Sequence, residues 1–117
     1  MQKLLTFLVI LIIFSCGSSE HYGIISKEAP VVKVKDVFLD KTFLNKEVKV
    51  NGKIIIQCAS NGCWFFLKDD TGQILVDLKP LNLGLPQRTG KNAVVSGIVI
   101  KEPSGQIIIS AKGLSIK

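Results

Sequence analysis

Apolar and polar residues alternate through most of the second half of this chain, and one unbroken apolar run opens it. Val48, Val50, Gly52, Ile54, Ile56 and Cys58 interleave with Lys49, Asn51, Lys53, Ile55 and Gln57. That period of two predicts a long strand with one face buried. Gly52 inside it predicts a bend or bulge, which lets one strand serve two parts of a curled sheet. Cys63 to Lys68 is a second strand, Asp69-Asp70-Thr71-Gly72-Gln73 has turn chemistry, and Ile74 to Lys79 is a third strand with Ile74, Val76 and Leu78 on one face. Pro80 to Gly90 breaks the alternation, and its Leu81, Leu83 and Leu85 suit a plug over one end of a barrel better than a polar loop. Asn92 to Lys101 and Ile107 to Ile116 are the fourth and fifth strands, joined by the turn Pro103-Ser104-Gly105-Gln106. Ahead of them, Val31 to Lys46 has no clean period. Val34, Val37, Phe38 and Leu44 share a helical face there, which predicts a short strand and then a helical turn.

The opening run has a different logic. Lys3 precedes Leu4 to Phe14, and small Ser15 precedes Cys16. A cation, an apolar stretch too short for a comfortable membrane span and a small residue together read as a secretory signal over residues 1–15. Ile13-Phe14-Ser15-Cys16 resembles a bacterial lipobox. The resemblance implies cleavage before Cys16 and lipidation of its thiol, which would hold the protein on the periplasmic face of a bacterial membrane. An ordinary signal peptide, or one anchor helix with Cys16 incidental, is the alternative. Residues 16–30 are polar and unpatterned and read as a flexible tether, with His21 solvated in it. Residues 31–117 are then one small domain with room for a single modest core.

Fifteen Lys plus Arg face nine Asp plus Glu, a formal charge of +6, and only Lys3 leaves with the signal. The surplus is scattered as single lysines. Diffuse basicity suits phospholipid headgroups, lipopolysaccharide or nucleic acid, or a solvated surface with no partner. No catalytic set can be assembled: Asp69 and Asp70 sit in a turn where carboxylates serve the backbone, and His21 is the only histidine. The expectation is a non-enzymatic protein without a cofactor or a metal.

Five strands, the first long and bent, with an extra segment between the third and fourth, describe an all-β, five-stranded OB-fold barrel. A six-strand roll or a small open sandwich is the rival. Val48-x-Val50-x-Gly52-x-Ile54, Gly62-Cys63-Trp64-Phe65-Phe66-Leu67-Lys68-Asp69 and Thr71-Gly72-x-Ile74-x-Val76 resemble the strand 1 to strand 3 core of small OB-fold domains. The stretch is similar to the tRNA-anticodon-like, nucleic-acid-binding OB type, and more so to exported bacterial OB domains bearing a Cys-x4-Cys-Trp element. It covers roughly residues 46 to 116. What the resemblance implies is a binding role, with single-stranded nucleic acid as a formal alternative that an exported location argues against.

Two features carry candidate chemistry. Cys58 ends the first strand and Cys63 opens the second, so a hairpin brings them face to face, where directly opposed Cα atoms lie about 4.5 to 5.5 Å apart. The alternation points both toward the core, Cys58 with Ile54 and Ile56, Cys63 with Phe65 and Leu67. A disulfide closing so short a loop is expected to contribute about 2 kcal/mol. Binding of a soft metal such as Cu(I), for which no nearby His or Met completes the set, a redox-active pair, which here lacks a helix N-terminus to lower a thiol pKa, and free thiols with no role are the other readings.

The second feature is the opposite face of the second strand. Trp64, Phe66 and Lys68 point outward, beside Lys53, Ile55 and Gln57 on the first strand and Leu75, Asp77 and Lys79 on the third. Aromatics interleaved with lysines stack rings and neutralise anions. The candidate ligand site is therefore Trp64, Phe66, Lys53, Lys68 and Lys79, with Asn61 and Arg88 at its rim, for an envelope ligand or a protein partner. The competing use of Trp64 and Phe66 is as core extended beneath Val31 to Leu44. Exposure discriminates: open cysteines with a buried Trp64 favour cysteine chemistry, and the reverse favours the binding face.

Overall fold

The computed structural model describes residues 19–117. The signal over residues 1–15 and the lipidation site Cys16 lie outside the described residues. Within them are six strands, β1 (Glu20–Gly23), β2 (Glu47–Gln57), β3 (Trp64–Lys68), β4 (Gln73–Asp77), β5 (Asn92–Lys101) and β6 (Ile107–Ile116), and one short helix, α1 (Val34–Leu39).

β2 to β6 close on themselves. Hydrogen-bonded neighbours run β6-β4-β3-β2-β5, and β5 returns to β6. All these contacts are antiparallel except the short parallel pairing of β4 with β6 at Val76–Ile109 and Asp77–Ser110. This is the five-stranded OB-fold barrel the sequence predicts, and its strands fall within a residue or two of the expected limits. Inward positions fill it: Phe65, Leu67, Ile74, Val76, Val95, Val99, Ile109 and Leu114 are essentially inaccessible to solvent. Leu85 joins this core, with Leu81 and Leu83 partly buried against it, so Pro80 to Gly90 does plug one end.

β2 serves two neighbours as expected. Glu47 to Lys53 pair with β5, and Lys53 to Gln57 pair with β3. The irregularity is not at Gly52 but between Ile54 and Ile56, where the register with β3 slips. A one-residue slip reverses every side chain beyond it. Ile56, expected inside, is 49% exposed, and Gln57, expected outside, is 8% exposed. The cysteine that follows is half-buried instead of core-facing.

Two N-terminal elements complete the molecule. Part of the stretch read as tether is strand β1, which adds antiparallel to β6 from Glu20–Ile116 to Gly23–Gly113. Val31 bridges Lys49 before α1 begins, matching the predicted short strand and helical turn. Six residues cannot sustain a helix on propensity alone. α1 instead borrows acceptors from the β3–β4 turn: the Val34 amide donates to Asp69 Oδ2 at 2.9 Å and the Lys35 amide to Thr71 Oγ1 at 3.1 Å. Val34 and Val37 thereby seal the barrel end opposite the leucine plug, both within 1% of full burial.

Candidate functional site

The outer faces of β2, β3 and β4 carry one continuous apolar row. Ile56 lies opposite Phe66, and Phe66 opposite Leu75. Trp64 stands two residues along the same face and meets Phe66 edge to face, with ring centroids 6.0 Å apart at 82°. Both rings are half-buried, and neither belongs to the core or packs against it. Residues 31–44 do not extend the core beneath them, because α1 is spent on the β3–β4 turn. Among the described residues nothing therefore covers the face expected to meet a ligand. It gains Ile56 through the register slip, which alternation alone had put inside.

Lysines border the row. Lys53 and Lys68 are directly opposed across β2 and β3, both are exposed, and neither is in an ion pair among the described residues. Like charges set opposite one another on a sheet repel. The nearby acids offer little relief. Asp70 pairs with Lys33 at 2.9 Å, and Asp69 accepts from Val34, Thr71 and Gly72. Burial works to raise the Asp69 carboxyl, but these donors together hold it below the usual range. Lys53 and Lys68 also enter a cleft of about 570 Å³ with Asn51, Asn92 and Lys117. Those last three are site candidates that alternation does not flag, because only barrel closure brings β5 and the chain end beside β2.

Lys79 and Asn61 sit elsewhere. They share a shallow depression with Cys63 and Leu83 beside the β2–β3 loop. Arg88 is already engaged: its Nε and Nη2 hold the Glu20 carboxylate at 2.5 and 3.1 Å. It fastens β1 to the plug segment and does not stand free at a rim.

The expected Cys58–Cys63 disulfide is absent. Both residues are free thiols, with the Cys63 thiol donating to Cys58 Sγ across 3.8 Å. Neither residue is buried in the core: the slip at Ile54–Ile56 re-aims Cys58 at the end of β2, and Cys63 is half-exposed as well. The backbone amide of Asn61, then the hydroxyl and amide of Ser60, converge on Cys58 and draw its thiol down to about 6. Burial, and then the bond to Cys58, push the Cys63 thiol up. Amide groups converging on a sulfur do the work that a helix N-terminus does in other reactive thiols. Among the described residues no three His, Cys, Asp or Glu groups gather as a metal site. Trp64 and the two cysteines are all half-exposed, so neither surface excludes the other.

No protein-family model matches the chain, and no curated protein matches it. Solved structures do. The hypothetical protein ygiW from E. coli aligns over 81% of this chain and 98% of its own, at TM-score 0.60 and 21% identity. Asparaginyl-tRNA synthetase from Pyrococcus horikoshii aligns over 73% of this chain but only 22% of its own, at TM-score 0.56 and 16% identity. The Stn1-ten1 complex of S. pombe aligns over 79% of this chain and 77% of the matched one, at TM-score 0.52 and 14% identity. At such identities the likeness establishes the OB-fold and nothing finer.

Proposed function

We propose that this chain is a non-catalytic OB-fold binding module, lipid-anchored through Cys16 in the cell envelope, whose ligand lies across β2, β3 and β4. One observation carries the reading: the Ile56–Phe66–Leu75 row, with Trp64 beside it, is an apolar platform outside the core and bordered by Lys53 and Lys68, which are in no ion pair among the described residues. A platform of this kind stacks flat rings while its cations neutralise nearby anionic groups. The ligand class it suits is an anionic, sugar-bearing envelope polymer. Trp64 and Phe66 supply contact area, and Lys53 and Lys68 supply charge. Among the structural neighbours, a tRNA synthetase handles RNA by its name and the Stn1-ten1 complex is an assembly of two proteins, so folds of this shape serve recognition. The exported location expected from residues 1–16 favours an envelope polymer over RNA.

The test uses the full chain with lipopolysaccharide and a pyrimidine oligonucleotide as probes, each titrated at two salt concentrations. Replacing Lys53 and Lys68 together by Glu is expected to weaken lipopolysaccharide binding by on the order of tenfold at low salt and to flatten its salt dependence. An unchanged affinity in that variant removes this face as the site. Tighter binding of the oligonucleotide than of lipopolysaccharide at equal salt redirects the reading to nucleic acid. The anchor is tested separately: Cys16→Ser is expected to move the protein from the membrane fraction to the soluble one, and unchanged fractionation overturns the lipidation.

A further inference from the structure

The loop that joins β2 to β3 holds chemistry that the binding face does not use. Cys58 directly follows β2, and its amide donates to the Trp64 carbonyl at 3.0 Å. Cys63 directly precedes β3, and its carbonyl accepts from the Leu78 amide at 2.8 Å. Both backbones are therefore fixed, while the sulfurs stay half-exposed 3.8 Å apart. The four residues between them are also restrained. Gly62 has φ of +57°, and a Cβ there would overlap the Leu85 carbonyl. Gln87 Nε2 reaches back to the Cys58 carbonyl at 3.3 Å. Asn61 Oδ1 lies 3.6 Å from the Cys58 sulfur and 4.0 Å from that of Cys63, an acceptor within reach of either thiol while it is protonated. Shallow depressions flank the loop, one lined by Cys63 and the other by Cys58. Each sulfur can thus be approached from solvent.

A bond between the sulfurs requires about 2.05 Å, shorter than their present 3.8 Å separation, so oxidation has to draw the two side chains together. We infer that Cys58 and Cys63 form a thiol–disulfide exchange site that takes disulfide-bearing molecules, with Cys58 as the attacking thiolate and Cys63 as the resolving thiol. The Cys58 thiolate attacks one sulfur of a substrate R–S–S–R′. The Cys58–S–S–R bond forms, the S–S bond of the substrate breaks, and R′–S⁻ leaves with the electron pair. Cys63 then loses its proton to solvent and attacks Cys58 Sγ. The Cys58–Cys63 bond forms and R–S⁻ leaves. The chain is oxidised by two electrons and the substrate reduced by the same two, and the substrate disulfide itself is the oxidant.

The asymmetry of the two thiols fits these roles. With its thiol drawn to about 6, Cys58 is mostly thiolate at neutral pH, whereas burial and the bond to Cys58 keep Cys63 protonated until the mixed disulfide forms. Stabilising the reduced form in this way makes the closed disulfide readily reducible, unlike an inert structural crosslink.

The experiment equilibrates the reduced full chain with graded mixtures of glutathione and glutathione disulfide. Acid quenching, alkylation and intact mass then count the free thiols. With Cys16 replaced by Ser so that only Cys58 and Cys63 are counted, a reversible loss of both thiols, with no glutathione retained, is the expected result. In Cys63→Ala, one glutathione is expected to stay on Cys58. In Cys58→Ala, capture on Cys63 is expected to be roughly fivefold slower or more at pH 7, a contrast set by thiolate fraction against intrinsic nucleophilicity. Three results overturn the site: equal capture rates at the two cysteines, a wild-type bond that never forms or never reduces across the series, or a stoichiometric soft metal ion protecting both thiols. The wild-type titration stands even if either variant fails to fold.

Discussion

Gln57 shows how much one side chain organises here. At 8% exposure, its Nε2 donates to the carbonyls of Leu85 and Pro86 at 3.0 and 2.9 Å. Its Oε1 accepts from the Arg88 amide at 2.8 Å. Every polar atom of the carboxamide is thus spent on holding the plug segment that also braces the cysteine loop. Gln57→Ala strands buried backbone groups and is expected to cost about 1–3 kcal/mol, read from the denaturant midpoint. A loss below about 0.5 kcal/mol, the size usual for surface substitutions, contradicts this role. The residue was illegible in sequence for a physical reason. Alternation assigns faces only while the register holds, and nothing in Ile54-Ile55-Ile56 announces the slip that turns Gln57 inward and Ile56 outward. Trp64 and Phe66 were legible, because they follow a turn on a short strand whose register is unbroken through Lys68. Asp69 was legible as a turn carboxylate, but its second duty as acceptor for α1 depends on a contact 35 residues away.

Among the elements, the five barrel strands were readable because each repeats its apolar residues through several turns of the pleat. β1 was not. Four residues, Glu20 to Gly23, are too few to show a period, and the strand exists because β6 offers an edge and Arg88 offers a partner. That partnership predicts a pH dependence. The Arg88 guanidinium first, and the Tyr22 hydroxyl second, hold the Glu20 carboxyl from its ordinary 4.5 down to about 2. A carboxyl depressed by folding contributes its stabilisation fully above the ordinary value and loses it as pH falls through the folded one. Docking of β1 should therefore be constant from pH 7 to pH 5 and weaken from about 4.5 toward about 2. Amide exchange at Tyr22 and at Ile24, whose amide donates to the Lys112 carbonyl, is expected to accelerate across this range in the wild type relative to the barrel strands. In Glu20→Gln that extra acceleration is expected to vanish. The same acid response in both proteins contradicts the assignment. The strand also shows why the tether reading fell short, since a polar, unpatterned stretch can still be ordered by a partner that lies far along the chain.

At the scale of the whole molecule, barrel closure does what sequence order cannot. It sets β5 and the chain end against β2, so that Asn92 and Lys117 join Lys53 and Lys68 around one cleft. It leaves the β2–β3–β4 face facing outward, and it sets the dithiol loop at the Trp64 end of that face. Within a formal charge of +6, Lys53 and Lys68 stand opposed beside an apolar row with no ion pair among the described residues. The binding face and the thiol pair are neighbours with separate chemistries, and each is tested without reference to the other.

Trp64 is the residue proposed to lie in the ligand contact, and as the chain's single tryptophan it reports on that contact directly. Its emission should be recorded while the full chain is titrated with lipopolysaccharide, beside Phe66→Ala as a variant that removes its edge-to-face partner. Intensity is expected to change saturably, with a shift to shorter wavelength as the half-exposed indole leaves water, and the midpoint is expected to weaken in Phe66→Ala. Saturable binding of the polymer, shown independently by co-sedimentation, with Trp64 emission unmoved throughout would contradict that contact.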